Sequence, residues 1–213
     1  RCAPWPRRPR GGADVLDLSR PGSVPPAEAE VGGARVAIAR PGWRDGVALE
    51  RLDRSSSEGR VEALMLLFSP DGERLPRAVA EDPRAALEAG YAWHDSAYGA
   101  LPYGTPGPRR RAAARRALDW DADAAAVSAD FLRLHRIDLA RTASDDLDWR
   151  LFVALALSAA RTPGSLLSQA LSARAPLPPG ASRAERDRHA RLAEAWALPP
   201  TDAEMREMAR ARF

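Results

Sequence analysis

Asp82-Pro83-Arg84-Ala85-Ala86-Leu87-Glu88-Ala89-Gly90-Tyr91-Ala92-Trp93-His94-Asp95-Ser96-Ala97-Tyr98-Gly99 is the stretch on which the reading of this chain turns. It carries the start and stop signals of one helix. Asp82 suits the N-cap, Pro83 the first helical position and Gly99 the left-handed position past the last turn. Near its end His94 and Asp95 are adjacent, with Tyr98 one turn beyond the histidine. Adjacent residues on a helix point about 100° apart, so His94 and Asp95 are expected to look into one cleft rather than to pair. A histidine acts as a general base when a second group fixes its tautomer. That group must come from another element. Asp130, in the otherwise apolar run Ala125–Leu132, is one candidate, because a carboxylate there needs a partner. Asp123, seven residues earlier and nearly on the same face, is the alternative.

Outward from this helix, the N-terminal side reads as short strands. Ala34–Ala39, Val47–Leu52 and Val61–Phe68 are separated by the turn clusters Pro41–Gly46 and Ser55–Gly59. They predict a small antiparallel β meander, with the third segment, apolar on both faces, as its most covered strand. The C-terminal side reads as helices. One runs from Arg109 or Trp120 to Leu139 in two pieces, after an irregular loop over Leu101–Pro108. A second is capped by Ser144 and reaches Arg161 with acids in its first turn, where the helix dipole favours them. Thr162-Pro163-Gly164 ends it, and Ser165–Arg174 follows. Capping boxes at Ser182/Glu185 and Thr201/Glu204 open two last helices. The expected fold class is therefore α+β, predominantly α-helical, with a small antiparallel β meander followed by a bundle of about five to six helices. The organisation reads as a Pro/Arg-rich flexible arm over 1–30, a main domain over 31–180, and a C-terminal helical pair over 181–213 packed on it.

Composition narrows the function classes. The 213 residues are 45% hydrophobic, enough for a core, yet the longest apolar run, Leu151–Leu157, is far below the ~18 residues of a membrane span. The 32 basic residues are all arginine, and asparagine is absent as well as lysine. Both missing residues use AA-starting codons, so the arginines reflect coding bias more than arginine chemistry. Against 29 acids the net charge is only +3, which gives no strong nucleic-acid signal. The run Arg109-Arg110-Arg111 with Arg115-Arg116 reads as a solvated face or a contact for phosphate groups. The single cysteine, Cys2, excludes an internal disulfide and a cysteine-based zinc site. His135, among Phe131, Leu132 and Leu139, reads as a core histidine, and His189, near Arg186 and Arg188, as one on a solvated face.

His94-Asp95-Ser96-Ala97-Tyr98, followed by Ala129-Asp130-Phe131, resembles the active-site core of the phospholipase A2-like superfamily, in its bacterial, fungal and parvoviral branches. The resemblance covers residues 94–131. It implies that His94 activates the attacking water, Asp130 orients His94, Tyr98 steadies that acid, and Asp95 binds calcium. Calcium would then polarise the ester carbonyl of a phospholipid. Ser69-Pro70-Asp71-Gly72-Glu73 is the nearest thing to the glycine-rich calcium loop of that superfamily. A phospholipid surface as partner and a secreted or envelope-associated location follow from the same resemblance. The other reading is a non-catalytic helical interaction domain of a phage or secreted assembly, whose helices dock onto a partner.

Overall fold

The computed structural model describes residues 27–39, 41–98 and 117–200, together with 205, 209 and 210. Its described part is mostly helical with one small antiparallel sheet, the expected fold class. The sheet is a hairpin of β1 (Glu28–Val31) and β2 (Ala34–Ala37), with Glu28 opposite Ala37 and Val31 opposite Ala34. The connection is Gly32-Gly33, at φ +58° and +81°. Two left-handed residues match the twist of the strands they join, and glycine adopts them without strain.

The meander over 34–68 is corrected. Only its first segment is a strand, and its partner is β1, which begins inside the stretch read as an arm. Val47–Leu52 lies almost wholly in α1 (Trp43–Arg51), and Val61–Phe68 is the body of α2 (Ser57–Phe68). A short apolar run cannot by itself separate a buried strand from a buried helix. Here the local chemistry settles it. The Ser56 side chain accepts from the Gly59 N–H at 2.9 Å, Glu58 sits in the first turn, and the body is Ala, Glu, Leu and Met. Ala63, Leu64, Leu67 and Phe68 are buried, which is helical and not alternating spacing.

After the short helix α3 (Arg77–Glu81) comes α4 (Pro83–Ser96), the helix of the opening stretch. Asp82 caps it as expected, accepting from the Ala85 N–H at 3.0 Å; Gly99 lies outside the described residues. Next is α5 (Ala124–Asp130), which continues as one π-helical turn over Phe131–His135 and stops at Arg136, at φ 60°. The loop Leu101–Pro108 and the arginine run at 109–116 fall outside the described residues.

The cap expected at Ser144 belongs to Asp148. Helix α6 (Trp149–Arg161) starts there, with the Asp148 carboxylate accepting from the Arg150 N–H at 2.8 Å, while Ser144 donates its hydroxyl to Asp45 at 2.5 Å. Ser165 caps α7 (Leu166–Arg174), accepting from the Ser168 N–H at 2.9 Å. Ser182 and Glu185 form the expected capping box of α8 (Arg183–Ala195). Thr201 and Glu204 lie outside the described residues. Among the described residues no single helix is long and apolar enough to cross a membrane; α6 and α7 together are bent by 73°.

Two apolar clusters share α4. One joins Val31, Val36 and Ile38 of the hairpin region to Leu64, Leu67, Phe68, Val79 and Ala86. The other surrounds Trp149 and Phe152 with Val127, Phe131 and Leu167. Trp93 packs against both. Helix α4 approaches α2 so closely at Gly90 that a Cβ there would stand 2.6 Å from Leu67 Cδ1 and 3.2 Å from Phe68 Cε2. Gly90→Val is therefore expected to cost about 1–3 kcal/mol of stability through overpacking. Urea unfolding would show this as a lower midpoint with an unchanged slope, and a neutral result would mean that the two helices part easily.

Candidate functional site

The site grows from the way α1, α4 and α6 meet. Trp43 N–H donates to the Leu147 carbonyl at 2.9 Å and Trp149 N–H to the Pro41 carbonyl at 2.7 Å, which locks the N-termini of α1 and α6 side by side. Gly46 on α1 makes this approach possible, because a Cβ at that position would stand 2.3 Å from ring carbons of Trp149. The indole of Trp149 lies against the imidazole of His94, with ring centroids 4.8 Å apart and planes 14° from parallel. Its Nε1–H donates to the His94 carbonyl at 3.1 Å.

His94 is completely buried. Its Nε2 is 3.1 Å from the Gly46 carbonyl and 3.8 Å from Glu50 Oε1, and its Nδ1 is 3.2 Å from Asp95 Oδ1. The expectation that His94 and Asp95 do not meet is therefore corrected. Their Cα–Cβ bonds diverge, but the aspartate rotamer brings its carboxylate back beside Nδ1. Tyr98 does steady an acid near the histidine, and that acid is Glu50, which accepts its hydroxyl hydrogen at 2.9 Å. Arg54 holds Asp95 with two hydrogen bonds, at 3.1 and 3.3 Å. The same guanidinium lies over the Tyr91 ring, 4.0 Å from its centroid. Burial pushes the Tyr91 hydroxyl pKa above its ordinary value, with the Arg54 charge opposing and the Asp95 and Glu50 charges adding to the rise.

Neither acid expected to orient His94 touches it. Asp130 is buried and accepts from the Leu166 N–H at 3.2 Å and the Leu167 N–H at 2.9 Å. It thus satisfies two of the open donors at the start of α7, a place where the helix dipole favours a carboxylate. Arg133 adds an ion pair to Asp130 at 3.3 Å. Asp123 is equally buried and is held by two hydrogen bonds from Arg174, both of 2.7 Å. Asp130 was expected to need a partner, and each of the two acids has one. The partner is a helix terminus for one and an arginine for the other, because α7, and not α4, packs on α5 at that point.

The stretch read as a calcium loop is folded on itself. Asp71 Oδ1 accepts from Glu73 N–H, Arg74 N–H and the Ser69 hydroxyl at 2.9, 3.1 and 3.0 Å. These donors, the two backbone ones first, hold its carboxyl pKa below the usual carboxylate value. The two other histidines make structural contacts. His135 stands edge-on to Phe131 with Nε2 3.1 Å from the Leu155 carbonyl, and His189 Nε2 lies 2.8 Å from the Ala175 carbonyl.

Glu50, His94 and Asp95 form a group able to hold a metal ion, with one ligand atom from each within 4.8 Å of the others. Glu50 and Gly46 were missed because their segment was read as strand and turn. Read as a helix, they are four apart and fall on one face, which was the available signal.

The chain was compared with family models, curated proteins and solved structures. Nothing matches.

Proposed function

We propose that this chain is a non-catalytic helical interaction domain, the kind of module that serves a phage or secreted assembly. The complete burial of His94 carries this reading. A general base has to reach a water and a substrate. His94 instead faces Trp149, and its ring nitrogens face Gly46 and Asp95. The other candidates act in the same structural way: Asp130 closes the start of α7, and Asp95 receives Arg54. Large apolar side chains meanwhile stand on the surface. Val61 on α2 is 60% exposed, Leu132 53%, Leu151 on α6 51% and Leu192 on α8 44%. Each stands open to contact with a partner.

A specific observation favours a second reading, the phospholipase A2-like hydrolase. His94, Asp95 and Tyr98 do converge, with Glu50 where the resemblance expects Asp130. Calcium fits this set poorly. That ion takes six to eight oxygen ligands, whereas here a ring nitrogen adjoins two carboxylates, one of them clasped by Arg54, and Asp71 is turned onto its own loop.

His94→Gln separates the readings. In an interaction domain it removes a buried stacked ring and leaves acceptors facing each other, for a loss of about 2 kcal/mol. In a chain of this size that is a fall of ~4–8 °C in Tm. The same fall follows from burial under the hydrolase reading, which adds the loss of hydrolysis as the distinguishing result. Calcium-stimulated fatty-acid release by the wild-type chain from phospholipid vesicles would overturn the first reading and support the second.

A further inference from the structure

Helix α8 is built to hold its own shape and is lightly attached to what it lies on. None of its thirteen residues is buried, whereas the nine residues of α7, on which it packs, bury Leu167, Ala170 and Ala173. Its start draws on no other element. Ser182 N–H donates to the Glu185 carboxylate at 2.7 Å, and Glu185 N–H donates back to the Ser182 hydroxyl at 3.3 Å. Arg183 and Asp187 pair along the same helix at 3.9 Å, and Leu192 is left 44% exposed. Among the described residues, two polar ties join α8 and its C-cap to the body. Arg174 Nε donates to the Trp196 carbonyl at 2.7 Å, and His189 Nε2 lies 2.8 Å from the Ala175 carbonyl. The apolar tie is Trp196, the C-cap residue, which packs against the cluster around Trp149.

We propose that α8 is a strap that opens and closes over α7 as a unit, pivoting at Gly180 and latched by the Trp196 indole. The connection from α7 suits a pivot. Pro176, Pro178 and Pro179 have no N–H with which to tie it down. Gly180 follows at φ +91°, where a Cβ would meet nothing within 4 Å, so the backbone can turn there without striking a neighbour. Opening leaves the buried ion pair whole, because Arg174 keeps both oxygens of Asp123 and the Ala117 carbonyl. The loss is confined to the indole contact, the packing on α7 and the two polar ties. An element with so few buried apolar contacts opens at a fraction of the global unfolding free energy. A helix of this length is marginal in water on its own, so once lifted α8 gives up its backbone hydrogen bonds. The open form presents an indole and its apolar seat, both of which the closed form covers.

The test is native-state hydrogen exchange on the full-length chain, followed amide by amide by NMR at constant pH in rising, sub-denaturing urea. The amides of 187–195 are expected to share one opening equilibrium and to exchange at least about 100-fold faster than the best-protected amides of α6. Their exchange is expected to quicken with urea, because opening as a unit exposes surface. Trp196→Ala is expected to quicken it further, by on the order of tenfold, with α6 unchanged, and Trp196→Phe to recover part of that protection. The wild-type chain alone decides the first point, whatever the variants do. Protection in α8 equal to that in α6 overturns the proposal, since α8 then opens only when the whole chain unfolds. Exchange that ignores urea and fades from residue to residue is fraying, and overturns it too. Unchanged exchange in Trp196→Ala removes the latch, and a joint rise in α6 and α8 makes the indole a support of the whole fold; either result overturns the strap.

Discussion

Trp149→Ala is expected to lower the unfolding free energy by about 3–5 kcal/mol. The indole is completely buried and is the largest of the fully buried side chains among the described residues. It stacks on His94 and on Phe152, with centroids 4.8 and 5.7 Å apart, and meets Trp120 edge-on at 5.8 Å. Losing it leaves a cavity where α1, α4 and α6 meet, and Gly46 has no Cβ with which to fill any of it. The same change deletes the donor to the His94 carbonyl. Urea unfolding measures the loss. Trp149→Phe helps to separate the two contributions, because it removes the N–H with a much smaller loss of volume. A cost below about 1 kcal/mol for the alanine variant would mean that the three helices close over the gap, and that the histidine node is not what holds them.

The second large effect is expected at Arg174. Its guanidinium donates to both oxygens of Asp123 at 2.7 Å, to the Ala117 carbonyl at 2.7 Å and, through Nε, to the Trp196 carbonyl at 2.7 Å. One side chain at the end of α7 thereby joins the start of α5 to the end of α8. Asp123 is 1% exposed and Arg174 11%, so neither charge is bathed in water. Removing one member of such a pair strands the other, and Arg174→Ala is expected to cost about 3–5 kcal/mol. Replacing both by apolar residues of similar volume, as in Arg174→Met with Asp123→Leu, is expected to recover most of that loss. Equilibrium unfolding of the single and double variants checks this. If the double variant is as weak as the single, the contacts to Ala117 and Trp196 carry the stabilisation, and the ion pair does not.

How far the site was legible follows from the range of each signal. Asp82 and Ser182 were readable as caps because a cap is decided within three residues, by a side-chain oxygen and a backbone N–H that the helix itself brings together. The turn between β1 and β2 was equally local. Gly32-Gly33 between two short runs is a hairpin signal, and it was passed over because the stretch before it was taken for an arm. The helices α1 and α2 were mistaken for strands where apolar runs are short and period alone does not decide. For α2 the Ser56 cap and the Ala, Leu, Glu and Met content were the better guide.

The amino-acid order by itself determined a mostly helical α+β chain, the capped helix carrying His94 and Asp95 with Tyr98 just past its end, and the need of Asp130 for a partner. Those follow from propensity, capping and the cost of burying charge, which act over a few residues. Only the tertiary structure decided which partner each polar group took. Glu50 met Tyr98, Arg54 met Asp95, Arg174 met Asp123, and the start of α7 met Asp130. A buried carboxylate accepts any donor that packing delivers to it, and delivery is set by which helices touch. That choice turned a sequence reading as an acid–base constellation into a set of structural ties, with one group, Glu50, His94 and Asp95, still arranged to take a metal.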